Sequence, residues 1–274
     1  MHRRDLLHAI GLAAASLPLV ACGSNEGAQP DAPPDQPRPD AACPATAWAT
    51  GGTAAMTAQA SYPDPFAGGL ATCPLRLCQT TAGPCTAPTT ERRDVSEGNP
   101  GLPVRLALKL VRDDTCEPIE GAVVETWHTH AKGVYSGQTP SPGFCSGGDA
   151  EALTKGYFRG TQTSDADGVV AFDTCFPGWY PGRAIHIHFS VRIGADVYLV
   201  SQLFFAQPLI DEIFDCHPDY VAYGAPDTSN AADGIVRSGD LAPYLVDTAR
   251  MSDGAMLASK VITIRTAVDV NCIA

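Results

Sequence analysis

Six short runs of β-branched and aromatic residues, each closed by glycine, proline, aspartate or asparagine, limit this fold more than any other feature. They are "VRLALKLVR" from Val104, "AVVETWHTH" from Ala122, "VVAFDTCF" from Val169, "IHIHFSVRI" from Ile185, "VYLVSQLFF" from Val197 and "VITIRTAV" from Val261. Runs of this length with period-two alternation read as strands. No long stretch shows apolar residues at helical spacing, and no internal repeat is present. The expectation is an all-β chain: an antiparallel β-sandwich with long irregular loops. "DADG" (165–168) reads as a hairpin turn. It starts like a calcium loop, but the twelfth position is Phe176 where an EF-hand needs glutamate.

The chain is expected in four parts. "MHRRDLLHAIGLAAASLPLVAC" has paired arginines, a short apolar run and small residues before Cys22. This predicts a twin-arginine lipoprotein signal over 1–21, with lipid on Cys22 as the only membrane attachment and the mature protein exported to the periplasm or cell surface. Residues 22–42, rich in Pro, Asp and Ala, read as an extended tether. Residues 43–92 read as an irregular, Cys-rich lead-in, and 93–274 as the sandwich. Ten cysteines suit an exported chain that carries disulfides. With Cys22 lipidated, nine remain, so one is unpaired or bridges outward, and Cys43, in the linker, is expected to be that one. The spacings of Cys73, Cys78 and Cys85, without a CxxC, favour disulfides over a zinc site. A net charge of −12 with no basic stripe argues against nucleic-acid binding.

The chemistry centres on "FPGWYPGRAIHIHFSV" (176–191). On a strand His186 and His188 share one face, while Ile187, Phe189 and Val191 turn to the other and can fill the core. The paired imidazoles suit one metal ion, or are hydrogen-bonded core histidines. Tyr180 lies six residues before His186 across a Pro-Gly turn, close enough for the chain to fold back. Phenolate with imidazole favours ferric iron over zinc or copper(I).

"WHTHAKGVYSG", "FRGTQTSDADGVVAF", "PGWYPGRAIHIHF" and "SQLFF" occur in an order that resembles the intradiol ring-cleavage dioxygenases, over about Val95 to Phe205. The resemblance implies a non-haem Fe(3+) enzyme that opens a catechol with O2 to a muconate-type diacid. It implies Tyr135, Tyr180, His186 and His188 as metal ligands. It also implies catalytic roles for Tyr180, for Arg183 near the reacting ring and for Gln202 close to substrate.

Three departures qualify this. His130 stands where an aspartate is expected, so His128 and His130 form a second His-x-His on a predicted strand: a supporting pair, a competing metal pair or a surface feature. Only two residues separate Tyr180 from Arg183, which predicts an open mouth and admits bulkier catechols. No counterpart of a helical dimerisation segment is seen, which leaves the oligomer open. Two other readings stand beside the enzyme. One is a non-catalytic surface lipoprotein whose sandwich binds metal or catechol; the other is a copper or zinc protein using both histidine pairs.

Overall fold

The computed structural model describes residues 43–44, 47–70, 72–74, 76–236 and 241–265. The signal expected over 1–21, Cys22 and the tether over 22–42 lie outside them. Among the described residues, eight strands form two four-stranded sheets: β1 Pro103–Arg112, β2 Val123–Trp127, β3 Arg159–Thr163, β4 Val169–Cys175, β5 His186–Ile193, β6 Asp196–Phe204, β7 Asp247–Arg250 and β8 Met256–Ile264. One sheet runs β4-β1-β8-β7 and the other β3-β2-β5-β6. Every pair is antiparallel except β1 with β8, which run parallel from Val104 beside Met256 to Arg112 beside Ile264. Parallel neighbours need a long connection, and here the whole second sheet supplies it.

Alternation explains the core. Val104, Leu106, Leu108 and Leu110 of β1 face Ile187, Phe189 and Val191 of β5 across the sandwich, all fully buried. Each such side chain contributes about 1.5–3 kcal/mol on burial. The outer face of the first sheet is also covered: Ala107, Met251 and Leu257 lie under Tyr62 and Phe66 of the lead-in.

Several elements differ from the sequence reading. "QPLIDEIFDC" forms a helix, α2, over Gln207–Cys216, with Ile210, Ile213 and Phe214 buried. Before it lies a single turn, α1, at Pro142–Cys145, and after it another, α3, at Pro218–Val221. Strands β3 and β7 are polar, so they give no alternating signal; both lie at sheet edges. The last strand begins at Met256 rather than Val261. "DADG" is a turn, with Asp165 Oδ1 accepting from the Asp167 and Val169 amides, but it is no hairpin. The strands it joins, β3 and β4, part into opposite sheets.

Cys43 is not the unpaired cysteine: it is bonded to Cys216 at the end of α2. Cys73–Cys116 and Cys85–Cys145 are also bonded, and Cys78 is disulfide-bonded as well. Among the described residues the free cysteine is Cys175, buried in the sheet, where desolvation raises its thiol pKa.

Candidate metal centre

The outer face of the second sheet is where β5 turns its histidines. Register then dictates their neighbours, because directly paired residues share a face. Trp127 of β2 pairs with His188, and His188 with Gln202 of β6, making a row of three across the sheet. The indole stacks on the His188 imidazole, with ring centroids 5.0 Å apart and planes within 4°.

Two loops bring the phenols to this row. The loop after β2 carries Tyr135, and the loop after β4 carries Tyr180. Their backbones interlock at two glycines. A Cβ on Gly178 would collide with the Ala131 carbonyl and the Gly133 amide, and one on Gly133, at φ +76°, with the Trp179 carbonyl. The Gly178 amide donates to the His130 carbonyl at 3.1 Å, and Thr129 Oγ1 donates to the Gly178 carbonyl at 2.7 Å. Only glycine allows main chains this close.

Four donors thereby converge. His186 Nε2 lies 3.1 Å from His188 Nε2, 3.2 Å from Tyr180 Oη and 3.4 Å from Tyr135 Oη. His186 Nδ1 donates to the Ala184 carbonyl at 2.7 Å, so its Nε2 carries a bare lone pair facing the other donors. Tyr135, His186 and His188 are buried, whereas Tyr180 and Arg183 are half-buried; entry is therefore from the side of Tyr180 and Arg183. Burial lowers His186 to a pKa of about 3 and His188 well below its ordinary value, and it raises both phenols. Without a cation the four groups are neutral.

This donor set fits a hard, highly charged cation. Two phenols can supply anionic oxygen once a cation displaces their protons, and two neutral imidazoles complete the set. Among the described residues no group of three or more His, Cys, Asp or Glu gathers as a metal site. The cluster has two histidines, and its other donors are tyrosines.

Arg183 closes one side. Its Nη1 lies 3.4 Å from both Tyr180 Oη and His186 Nε2, and its Nη2 donates a short hydrogen bond to Gln202 Oε1. Its Nε donates at 2.9 Å to Asp233, whose side chain is 0% exposed. Burial acts to raise the Asp233 pKa, but the hydrogen bond and charge of Arg183 outweigh it and hold the carboxylate below its usual range. Gln202 Nε2 donates to the Thr81 carbonyl at 3.0 Å.

The structure thus brings Tyr135, Tyr180, Arg183, His186, His188 and Gln202 together. Sequence reasoning missed Asp233, Trp127 and the segment 81–85, where a Cβ on Gly83 would touch the His188 ring and the Thr81 carbonyl accepts from Gln202. The stretch "TTAGPCTAP" carries no charged side chain to mark it, and Cys85 reads there only as a disulfide cysteine.

His128 and His130 are not a pair, nor is His128 a surface feature. Strand β2 ends at Trp127, so alternation stops before them. His128 is buried, its Nδ1 donating to the Thr129 carbonyl and its Nε2 accepting from Thr174 Oγ1, both at 2.7 Å. His130 instead stacks on Tyr157 and lines a separate cavity of about 450 Å³ that contains none of the four donors. With His128 committed on both nitrogens, a copper or zinc site built on both His-x-His motifs has lost its second pair.

Residues 81–233 match the family model described as Dioxygenase. An intradiol ring-cleavage dioxygenase from Tetranychus urticae is 28% identical, over 70% of this chain and 95% of that one, with a TM-score of 0.62. The dioxygenase domain of a dioxygenase–carbohydrate-binding protein fusion from Streptomyces sp. SirexAA-E shares the fold at 23% identity, over 69% of this chain and 97% of that one, with a TM-score of 0.50. A chlorocatechol 1,2-dioxygenase from Pseudomonas putida is 27% identical over 113 residues, 35% of this chain and 39% of that protein. The match thus spans about two fifths of that curated relative's length.

Proposed function

The chain belongs to the intradiol ring-cleavage dioxygenase family, and on that premise we propose that it opens a catechol-type diol with O2 to a muconate-type dicarboxylic acid. In this reading Tyr135, Tyr180, His186 and His188 hold Fe(3+). The observation that carries it is the convergence of two phenol oxygens and two imidazole nitrogens with contacts of 3.1 to 3.4 Å. Ferric iron held there would supply the Lewis acidity that favours the anionic form of the diol and its reaction with O2.

The chain's own groups do the rest. Tyr180 Oη, the more accessible phenol, is placed to take a proton from the incoming diol. The Ala184 carbonyl fixes the His186 tautomer, and the Trp127 ring fixes the plane of His188. Arg183 offers Nη1 to negative charge that develops on the ring oxygens, as a donor oriented in advance by Asp233 and Gln202. Because the guanidinium is already held, little reorganisation accompanies the reaction. The buried walls exclude water, which strengthens that interaction.

The test is oxygen uptake by iron-loaded protein with catechol, hydroxyquinol and protocatechuate, with mass analysis of the product. Addition of both atoms of O2 to the ring-opened acid is expected. Tight catechol binding with no uptake on any of the three would instead support the non-catalytic binding reading.

From the N-terminal sequence we further propose that the enzyme works outside the cytoplasm, anchored through lipid on Cys22. Disulfides such as Cys43–Cys216 and Cys85–Cys145 support an oxidising compartment. Cys22→Ala is expected to move the protein from the membrane to the soluble fraction; an unchanged distribution would remove the anchor.

A further inference from the structure

One exposed aromatic stands at the mouth of the site. Phe144, in the single turn α1, is 60% exposed, yet it is not a loose surface side chain. Its ring meets the Tyr180 ring edge to face, with centroids 5.8 Å apart and planes at 87°. The turn that carries it is fixed in three ways. The next residue, Cys145, is buried and bonded to Cys85, the Cys145 carbonyl accepts from the Tyr135 amide at 2.8 Å, and the Cys145 amide donates to the Ser141 carbonyl at 2.9 Å. The backbone beside Phe144 is therefore tied to Tyr135 and to the segment that holds Cys85, and much of the Phe144 ring is turned to solvent.

Access defines what that face can meet. Tyr135, His186, His188 and Gln202 are at most 3% exposed, so a diol whose oxygens reach the donors must carry its substituents outward past Tyr180 and Arg183. A substituent leaving on the Tyr180 side passes next to Phe144. A rigid aromatic with only two torsions gives contact area at small entropic cost. A ring placed there offers stacked or edge-to-face contact to an aromatic partner.

Resting on the proposed ring cleavage, we propose that Phe144 is a specificity-determining residue that receives the distal ring of aryl-substituted catechols. The substrate class is then a diol ring joined to a second aromatic group, with the diol at the donors and the second ring against Phe144. The contact operates in binding and leaves the bond-making steps to the buried residues.

The test compares catechol with 4-phenylcatechol in the wild type and in Phe144→Ala, Phe144→Leu and Phe144→Trp. Two readouts are taken: kcat/KM by oxygen uptake, and Kd by anaerobic titration of the visible absorption of the iron-loaded protein. An aromatic contact is worth about a three- to tenfold preference. Phe144→Ala and Phe144→Leu are expected to lower the ratio of kcat/KM for 4-phenylcatechol to that for catechol by this factor. The fall should come through KM and Kd rather than kcat, and Phe144→Trp should restore the ratio. A ratio unmoved in Phe144→Ala and Phe144→Leu overturns the assignment, as does a wild type that cleaves catechol and rejects 4-phenylcatechol. A wild type inactive on both diols would instead overturn the ring-cleavage reading, and this inference with it.

Discussion

Asp233→Asn is the substitution that most directly probes how the site is held. The Asp233 carboxylate accepts from Arg183 Nε at 2.9 Å and the Ala184 amide at 3.0 Å through one oxygen. Through the other it accepts from the Ile235 amide at 2.9 Å, the Val236 amide at 3.3 Å and Arg183 Nη2 at 3.5 Å. All of these partners are donors. An asparagine in the same rotamer must turn its NH2 group toward one set of them, so donor faces donor and Arg183 loses its counter-charge. Breaking one side of a buried ion pair costs about 3–5 kcal/mol, a large part of the 5–15 kcal/mol typical of a folded domain. The carboxylate also sets Arg183 over Tyr180 and His186, and displacing a positioned group by about 1 Å costs on the order of 100-fold in rate. The expected result is a lower urea midpoint, with disulfides intact, and a fall in kcat/KM of about 100-fold in oxygen uptake. A variant with a midpoint equivalent to less than about 1 kcal/mol of loss and kcat/KM within about twofold of wild type would refute the reasoning.

Gly178→Ala is expected to separate the two tyrosine loops, since its Cβ would meet the Ala131 carbonyl and Gly133 amide. Metal-free Gly178→Ala should bind iron weakly in equilibrium dialysis, and wild-type affinity would contradict the interlock. Acid stability carries the mark of His128. Burial depresses its pKa from 6.5 to about 4, so between those values the unfolded chain binds a proton that the folded one refuses. Stability from this residue is complete above pH 6.5 and lost as pH falls toward 4, by about 3 kcal/mol. Urea unfolding of metal-free protein across that window should show a shallower acid slope in His128→Gln, and an equal slope would contradict the assignment.

What could be seen in the sequence follows the range over which the physics acts. Period-two alternation is local, so the common face of His186 and His188 and the buried Ile187, Phe189 and Val191 were legible. Polar edge strands such as β3 and β7 were not, because they bury too little to leave a pattern. Helix α2 does carry a helical pattern, with Leu209, Ile210, Ile213 and Phe214 on one face and Pro208 in the first turn, but it lasts only ten residues, too few to stand out among the apolar runs of the strands. Trp127 and Asp233 reach the site through strand register and a return of the chain some thirty residues after Gln202, and neither leaves a local trace. The expectation of a shared face for His128 and His130 fails for a related reason: spacing shows a common face only while the strand lasts, and β2 ends at Trp127, before either histidine. The pairing of Cys43 with Cys216, across 173 residues, depends on tertiary approach alone.

The central claim is that two tyrosinates and two histidines hold ferric iron at the outer face of β5. The most direct measurement is the visible absorption spectrum of the protein loaded with one equivalent of iron, before and after anaerobic addition of catechol, in the wild type and in Tyr135→Phe and Tyr180→Phe. The account predicts a phenolate-to-iron charge-transfer band that changes when catechol binds and is weakened or shifted in each variant. A protein that takes up iron yet stays colourless, or a band indifferent to both substitutions, would contradict it.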